Sequence, residues 1–251
     1  MDVVDLREFY GSALGRSARA LIGRALQQRL QPLSGQTVIG LGYAHPYLED
    51  HISTDAVTLS FMLARQGVIH WPMEESVRSA LVDECDLPLL ESVADHVVVA
   101  HGLELADNPQ EMLQEIWRVM APQGRLYLIV PNRRGLWSAS DASPFGYGQP
   151  FSRSQLAGLL KEARFTTNWW KEALVLPPMS APWLLRTASA CEAVGTRMVG
   201  RFSGVIMVEA VKQVYAFSSG KRVRRLVPRL RPALLPSPHP ANKNIPTSHS
   251  N

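Results

Sequence analysis

Short apolar or β-branched runs alternate along this chain with stretches in which apolar residues return every three or four positions. The runs are Val38–Leu41, Ala56–Leu63, Ser79–Glu84, Asp95–His101, Arg125–Val130, Trp169–Leu176 and Gly204–Tyr215, each of strand length. Between and before them lie helical patterns. Residues 2–30 carry an apolar stripe through Leu14, Ala18, Leu21, Ile22, Ala25, Leu26 and Leu30, and Pro109–Met120 places Met112, Leu113, Ile116 and Met120 on one face behind an opening proline. Gln155–Glu162 and Trp183–Met198 are also predicted helices, and Pro46–Ser53 a short one. Strands alternating with helices predict an α/β fold with a mostly parallel sheet covered on both faces, and the two late strands suit an antiparallel edge.

The stretch VIGLGYAHPYL at 38–48 is the natural centre of such a fold. A buried strand gives way to the small residues Gly42 and Ala44 and then to Pro46, which can open a helix. In an open α/β sheet that crossing lies where ligands bind. It is not a dinucleotide fingerprint, since His45 stands where GxGxxG requires its third glycine, and no Gly-Lys-Ser/Thr phosphate loop is present.

Charge changes the picture only at one end. The formal net charge is +4, but residues 217–251 hold seven Lys/Arg and no acidic residue, leaving 19 basic against 22 acidic residues before them. That tail also holds six prolines and reads as disordered, with nucleic acid or an anionic surface as a minor possibility for its basic run. The expected organisation is an N-terminal helical extension over 1–35, a domain over 36–216 and the tail over 217–251. Cys85 and Cys191 form neither a metal-ligand spacing nor a disulfide framework. With no long apolar run and an acidic opening segment, a cytoplasmic protein is expected.

The run from Asp95, DHVVVAHGLELADNPQEMLQEIWRVMAPQGRLYLIVPN, combines an Asp-led strand, Leu103-Glu104, Asp107 with Pro109, Arg118-Val119-Met120 and a Pro122-Gln123-Gly124 turn. In order and spacing it resembles the fourth strand, following helix and fifth strand of class I S-adenosylmethionine-dependent methyltransferases, the methyltransferase type 11 group in particular. The resemblance implies a Rossmann-like methyltransferase fold and S-adenosylmethionine as cofactor. It places the methionine end of the cofactor over the loop carrying Gly40, Gly42 and Ala44, and the adenine at the Asp86 carboxylate and Leu87 amide. The glycine-rich first motif is degenerate: Gly40 replaces an acidic residue, Ala44 and Pro46 occupy its later small positions, and the acid expected near Phe61–Leu63 is missing.

Methyl transfer from a sulfonium needs orientation and a group to take the acceptor's proton. His101 and Glu104, just past the fourth strand, are the candidates for that role. The loop at 143–152, with Phe145, Tyr147 and Phe151 among glycines and prolines, is a candidate lid or docking surface, and Trp137, Trp169, Trp170 and Trp183 are candidates to line the same region. Two functions follow: a methyltransferase for a small or medium acceptor, or a catalytically inactive protein of that fold that binds a protein partner.

Overall fold

The computed structural model describes residues 1–30, 33–49, 55–72, 77–140, 143–175, 178 and 203–213. Helices α1 (Val3–Gly11) and α2 (Ala13–Gln27) come first. They are followed by β1 (Thr37–Gly42), β2 (Val57–Leu63), β3 (Ser79–Val82), β4 (Ala94–Ala100), α3 (Pro109–Val119), β5 (Met120–Pro131), α4 (Arg153–Glu162), β6 (Phe165–Ala173) and β7 (Val205–Lys212). The expected helix at Trp183–Met198, Trp183 itself and the tail lie outside the described residues.

All seven strands join one sheet in the order β3-β2-β1-β4-β5-β7-β6. Pairing is parallel from β3 to β5, with Val38 opposite His96 in the β1/β4 pair, while β7 runs antiparallel to both β5 and β6. The chain order turns at β1 and β4, so the loops after these two strands leave the same edge side by side, the arrangement that forms a ligand crevice in doubly wound sheets.

The period of two along each strand divides the core into two layers. Val38, Val98, Tyr127, Ile129 and Met207 face α1 and α2 through Leu6, Phe9, Ile22 and Leu26. Ile39, Leu41, Val97, Val99, Leu126, Leu128 and Val208 instead meet α3 and α4 through Met112, Ile116, Leu156 and Leu160. Residues 1–30 are therefore one of the covering layers that a central sheet, apolar on both faces, requires.

Helix starts follow their caps. Asp2 and Asp5 form a capping box on α1, the Asn108 side chain caps α3 ahead of Pro109, and Ser152 and Gln155 form a capping box on α4. Several boundaries differ from the sequence expectation. The segment from Pro46 forms only a 3₁₀ turn, His45–Tyr47, before the described residues break at 50–54. Strand β3 stops at Val82 because the Asp83 side chain accepts from the Cys85 amide and bends the chain. The Pro122-Gln123-Gly124 turn is absorbed into β5 as an irregularity opposite Ala94–His96, with Gln123 at φ 66°. Strand β6 begins at Phe165, earlier than expected, since Arg164 at φ 64° turns the chain directly out of α4.

Candidate active site

At the carboxyl edge of β1, Gly42 adopts φ 73°, and a Cβ there would lie 2.4 Å from the Ala100 carbonyl oxygen. Only glycine permits this contact with β4. The next amide, Tyr43 N–H, donates to that same carbonyl at 2.7 Å, so the loops after β1 and β4 are stitched together. A Cβ on Gly40 would meet Leu48 Cδ1 at 2.6 Å, so the side chain of Leu48 occupies the space beside Gly40, where the resemblance expects an acidic residue. Ala44 is buried and its carbonyl accepts from Tyr47 N–H to close the 3₁₀ turn.

That turn buries three groups: Tyr43, His45 and Tyr47. The His45 ring lies 4.0 Å from the Tyr43 ring, centroid to centroid, and its Nδ1 has no hydrogen-bond partner among the described residues. Burial, reinforced by the Arg19 charge, pushes the His45 imidazole down to about 3, so it is neutral. Burial raises the Tyr43 phenol to about 12.

The loop after β4 brings His101 and Glu104 together with a residue from α1. His101 has φ 49°, in the left-handed region that few non-glycine residues enter, and its carbonyl accepts from the Gln66 side chain. Its Nε2 is 2.8 Å from Tyr10 Oη, which is in turn 2.8 Å from Tyr47 Oη. On the other side, Nδ1 is 3.4 Å from Glu104 Oε1, within ion-pair reach but without hydrogen-bond alignment, so both Glu104 oxygens are without a hydrogen-bond partner among the described residues. The result is a buried row, Tyr47–Tyr10–His101–Glu104. The Tyr10 phenol is raised well above its ordinary value, first by burial and then by Tyr47. Tyr10, Tyr43 and Tyr47 were missed as site residues because their spacing reads equally well as core; the tyrosines inside the 38–48 loop were the available signal.

The aromatic loop divides among three environments. Phe145, 1% exposed, packs its ring 4.7 Å from His101 and also contacts Phe9 and Trp137. Phe151 is buried in the opposite core layer, and Tyr147 points outward at 45% exposure. The three do not form one surface. Of the candidate tryptophans, Trp137 joins the site, whereas Trp169 packs beneath Arg29 and Trp170 beneath Arg153 on β6.

At the β3 end, Asp83 and Asp86 lie exposed in one turn closed by an Asp86 N–H to Asp83 O bond. The Leu87 amide requires a correction: it donates to Glu115 Oε1 at 2.8 Å, and the Leu87 carbonyl accepts from Arg118. Leu87 thus anchors the turn on α3, and its N–H is already occupied and cannot meet an adenine nitrogen as the structure stands. Just past β2, where the acid was missing, Arg65 reaches across to Glu84 Oε1 at 2.6 Å and to Asp107 Oδ1 at 2.8 Å. This clasp joins the loops after β2, β3 and β4. It was invisible in sequence because its members are 19 and 42 residues apart.

These residues fit an adenosyl sulfonium cofactor in part. Exposed carboxylates stand where the resemblance puts the adenine, small residues line the β1 loop, and His45 Nδ1, Ser60 Oγ and both Glu104 oxygens are buried polar atoms without hydrogen-bond partners among the described residues. Where the resemblance expects an acid at the end of β2, the chain has the Arg65–Glu84 pair. Among the described residues no cluster of His, Cys, Asp and Glu could hold a metal ion, and no helix is long and apolar enough to cross a membrane.

Comparison with known proteins agrees with this geometry. Residues 39–128 match the family model described as a methyltransferase domain. No curated protein matches the chain. Among solved structures, the chain is similar to one from a complex between the Haloferax volcanii Trm112 methyltransferase activator and a methyltransferase, with TM-score 0.61, 17% identity and coverage of 84% of this chain and 98% of that one. A Thermotoga maritima S-adenosylmethionine-dependent methyltransferase gives TM-score 0.59, 14% identity and coverage of 84% and 96%. Geranyl diphosphate C-methyltransferase from Streptomyces coelicolor A3(2), solved with Mg2+, geranyl diphosphate and S-adenosyl-L-homocysteine, gives TM-score 0.54, 15% identity and coverage of 76% and 80%. Residues 39–128 thus match a methyltransferase domain, and the sheet that holds them has the fold of class I S-adenosylmethionine-dependent methyltransferases.

Proposed function

We propose that this protein is a cytoplasmic S-adenosylmethionine-dependent methyltransferase acting on a small or medium acceptor. One observation carries the reading: the residues matched as a methyltransferase domain, 39–128, include the loops after β1, β3 and β4, and those after β1 and β4 carry buried polar atoms without partners among the described residues. Such atoms are costly unless a ligand satisfies them.

The backbone at Gly40, Gly42 and Ala44 would hold the methionine end, Asp86 the adenine amine, and Glu84, steered by Arg65, the ribose hydroxyls. The bound cofactor supplies an electrophilic methyl group on sulfur. The chain's own work is to orient the acceptor and hold its proton. His101 is fixed through Nε2 by Tyr10, so Nδ1 and the Glu104 carboxylate are the groups left to face an acceptor. Phe145 covers this pair and excludes water from it.

Calorimetry of the full chain with S-adenosylmethionine and S-adenosylhomocysteine tests the reading. Micromolar binding is expected, and Asp86→Ala should weaken it by about tenfold, as loss of one hydrogen bond to a charged group implies. Absence of binding to the wild-type protein at millimolar cofactor would retire the enzyme reading and leave a partner-binding role.

A further inference from the structure

Glu104 is the least explained group in the molecule. It is 3% exposed, its two carboxylate oxygens accept no hydrogen bond among the described residues, and its sole ion-pair neighbour is His101 at 3.4 Å. The buried carboxylates of Glu84 and Glu209 are by contrast held by arginines, Glu84 by one and Glu209 by two. A buried carboxylate left without donors carries a desolvation penalty that a cation or a strong donor offsets.

Its surroundings narrow the choice of partner. His101 beside it is flanked by Phe145 and Tyr10, and Tyr10 stacks on Tyr43 at 5.5 Å, with Tyr47 and Phe9 set edge-on to it. Ring faces attract cations, and an ammonium group offers charge together with as many as three donors. A hydroxyl acceptor would supply one hydrogen bond and no charge, and an anionic acceptor would be repelled. No Lys or Arg pairs with Glu104 among the described residues.

We infer that the methyl acceptor is a primary or secondary amine, bound as its ammonium form by Glu104 within the ring cluster of Tyr10, Tyr43 and Phe145. This inference rests on the methyltransferase reading and names its substrate class. The proton balance is complete. Glu104 takes one proton from the ammonium, and the freed nitrogen lone pair forms the C–N bond as the C–S bond to the methylsulfonium donor breaks. The donor leaves as a neutral thioether and the product is the N-methylated ammonium. His101, beside Glu104 and bonded to Tyr10 and through it to Tyr47, is placed to relay the proton away. Phe145 must swing aside to admit the amine; its loop is tied to Glu104 by the Gln149 N–H to Glu104 carbonyl bond, with Gly148 at φ 79° packed against the same carbonyl.

Three probes of one shape and different charge decide the matter: phenethylamine, phenethyl alcohol and hydrocinnamate, titrated into the full chain with and without S-adenosylhomocysteine. The amine should bind at least about tenfold more tightly than the alcohol and the carboxylate should not bind, while Glu104→Gln should erase the preference for the amine and leave S-adenosylhomocysteine affinity unchanged. Equal binding of amine and alcohol by the wild-type chain would overturn the inference, as would no amine binding at millimolar concentration. So would a Glu104→Gln protein that keeps the preference, or one that loses S-adenosylhomocysteine instead, which would assign the carboxylate to the cofactor's own ammonium. Failure of S-adenosylhomocysteine to bind at all sinks the enzyme reading separately, and the wild-type amine preference is still read without it.

Discussion

His45 shows how one residue carries information that its position in a motif conceals. Wedged against Tyr43 and near Trp71, it is refused a proton by the folded chain until the pH nears 3, whereas the unfolded chain accepts one near the ordinary value of about 6.5. As pH falls through that interval the unfolded form takes up the proton first. Stability from this group is therefore fully present above about pH 6.5 and is lost progressively on acidification. At pH 5 the loss is about 2 kcal/mol, from roughly 1.4 kcal/mol per pH unit. Thermal melts at pH 8 and pH 5 should show the wild-type protein losing clearly more stability than His45→Phe, which keeps a ring in the site and cannot titrate; parallel losses in the two proteins would refute the assignment. The sequence marked His45 only as the residue that spoils a glycine motif, and nothing in its neighbours announced a buried neutral imidazole, because Trp71 lies 26 positions away.

At the scale of elements, the strands were legible and the bonds between them were not. Val97, Val98 and Val99 reveal a buried strand by composition alone, and the alternation of Leu126, Tyr127, Leu128 and Ile129 between two core layers follows from a period of two. Nothing local, however, couples Arg29 to Glu209 across 180 positions. Glu209 is fully buried in β7 and is held by Arg29, just past α2, at 2.7 Å and by Arg125 of β5 at 3.0 Å. Both arginines keep a third or more of their side chains in solvent, so each pair alone is screened. Arg29→Met or Arg125→Met should then cost about 1 kcal/mol or less, since the remaining arginine still neutralises the carboxylate. Removing both leaves a buried charge without a partner and should cost about 3 kcal/mol or more, beyond the sum of the single effects. Urea denaturation of the four proteins measures the cycle, and strict additivity would show that Glu209 finds another partner.

For the molecule as a whole, a mostly parallel sheet with an antiparallel edge could be anticipated from the alternation of patterns, while the place of residues 1–30 could not. An amphipathic stripe shows that a segment has one apolar face but not which surface that face covers. Here it covers the sheet: Leu6, Phe9, Ile22, Leu26 and Leu30 lie against Val38, Val98, Tyr127 and Met207, and α1 also delivers Tyr10 to His101. A protein beginning at Leu33 would expose that face of the sheet and lose Tyr10 together. Covering side chains of this size contribute about 1.5 to 3 kcal/mol each when buried, so losing even five exceeds the net stability of about 5 to 15 kcal/mol typical of a domain at the lower end of that range. The shortened chain should give no cooperative melting transition by calorimetry and should bind a hydrophobic dye strongly, whereas the full chain should melt cooperatively and bind the dye weakly. A shortened chain that melts cooperatively near the full-length temperature would mean that the helical layer is dispensable, and Tyr10 would then have to be judged on catalysis alone.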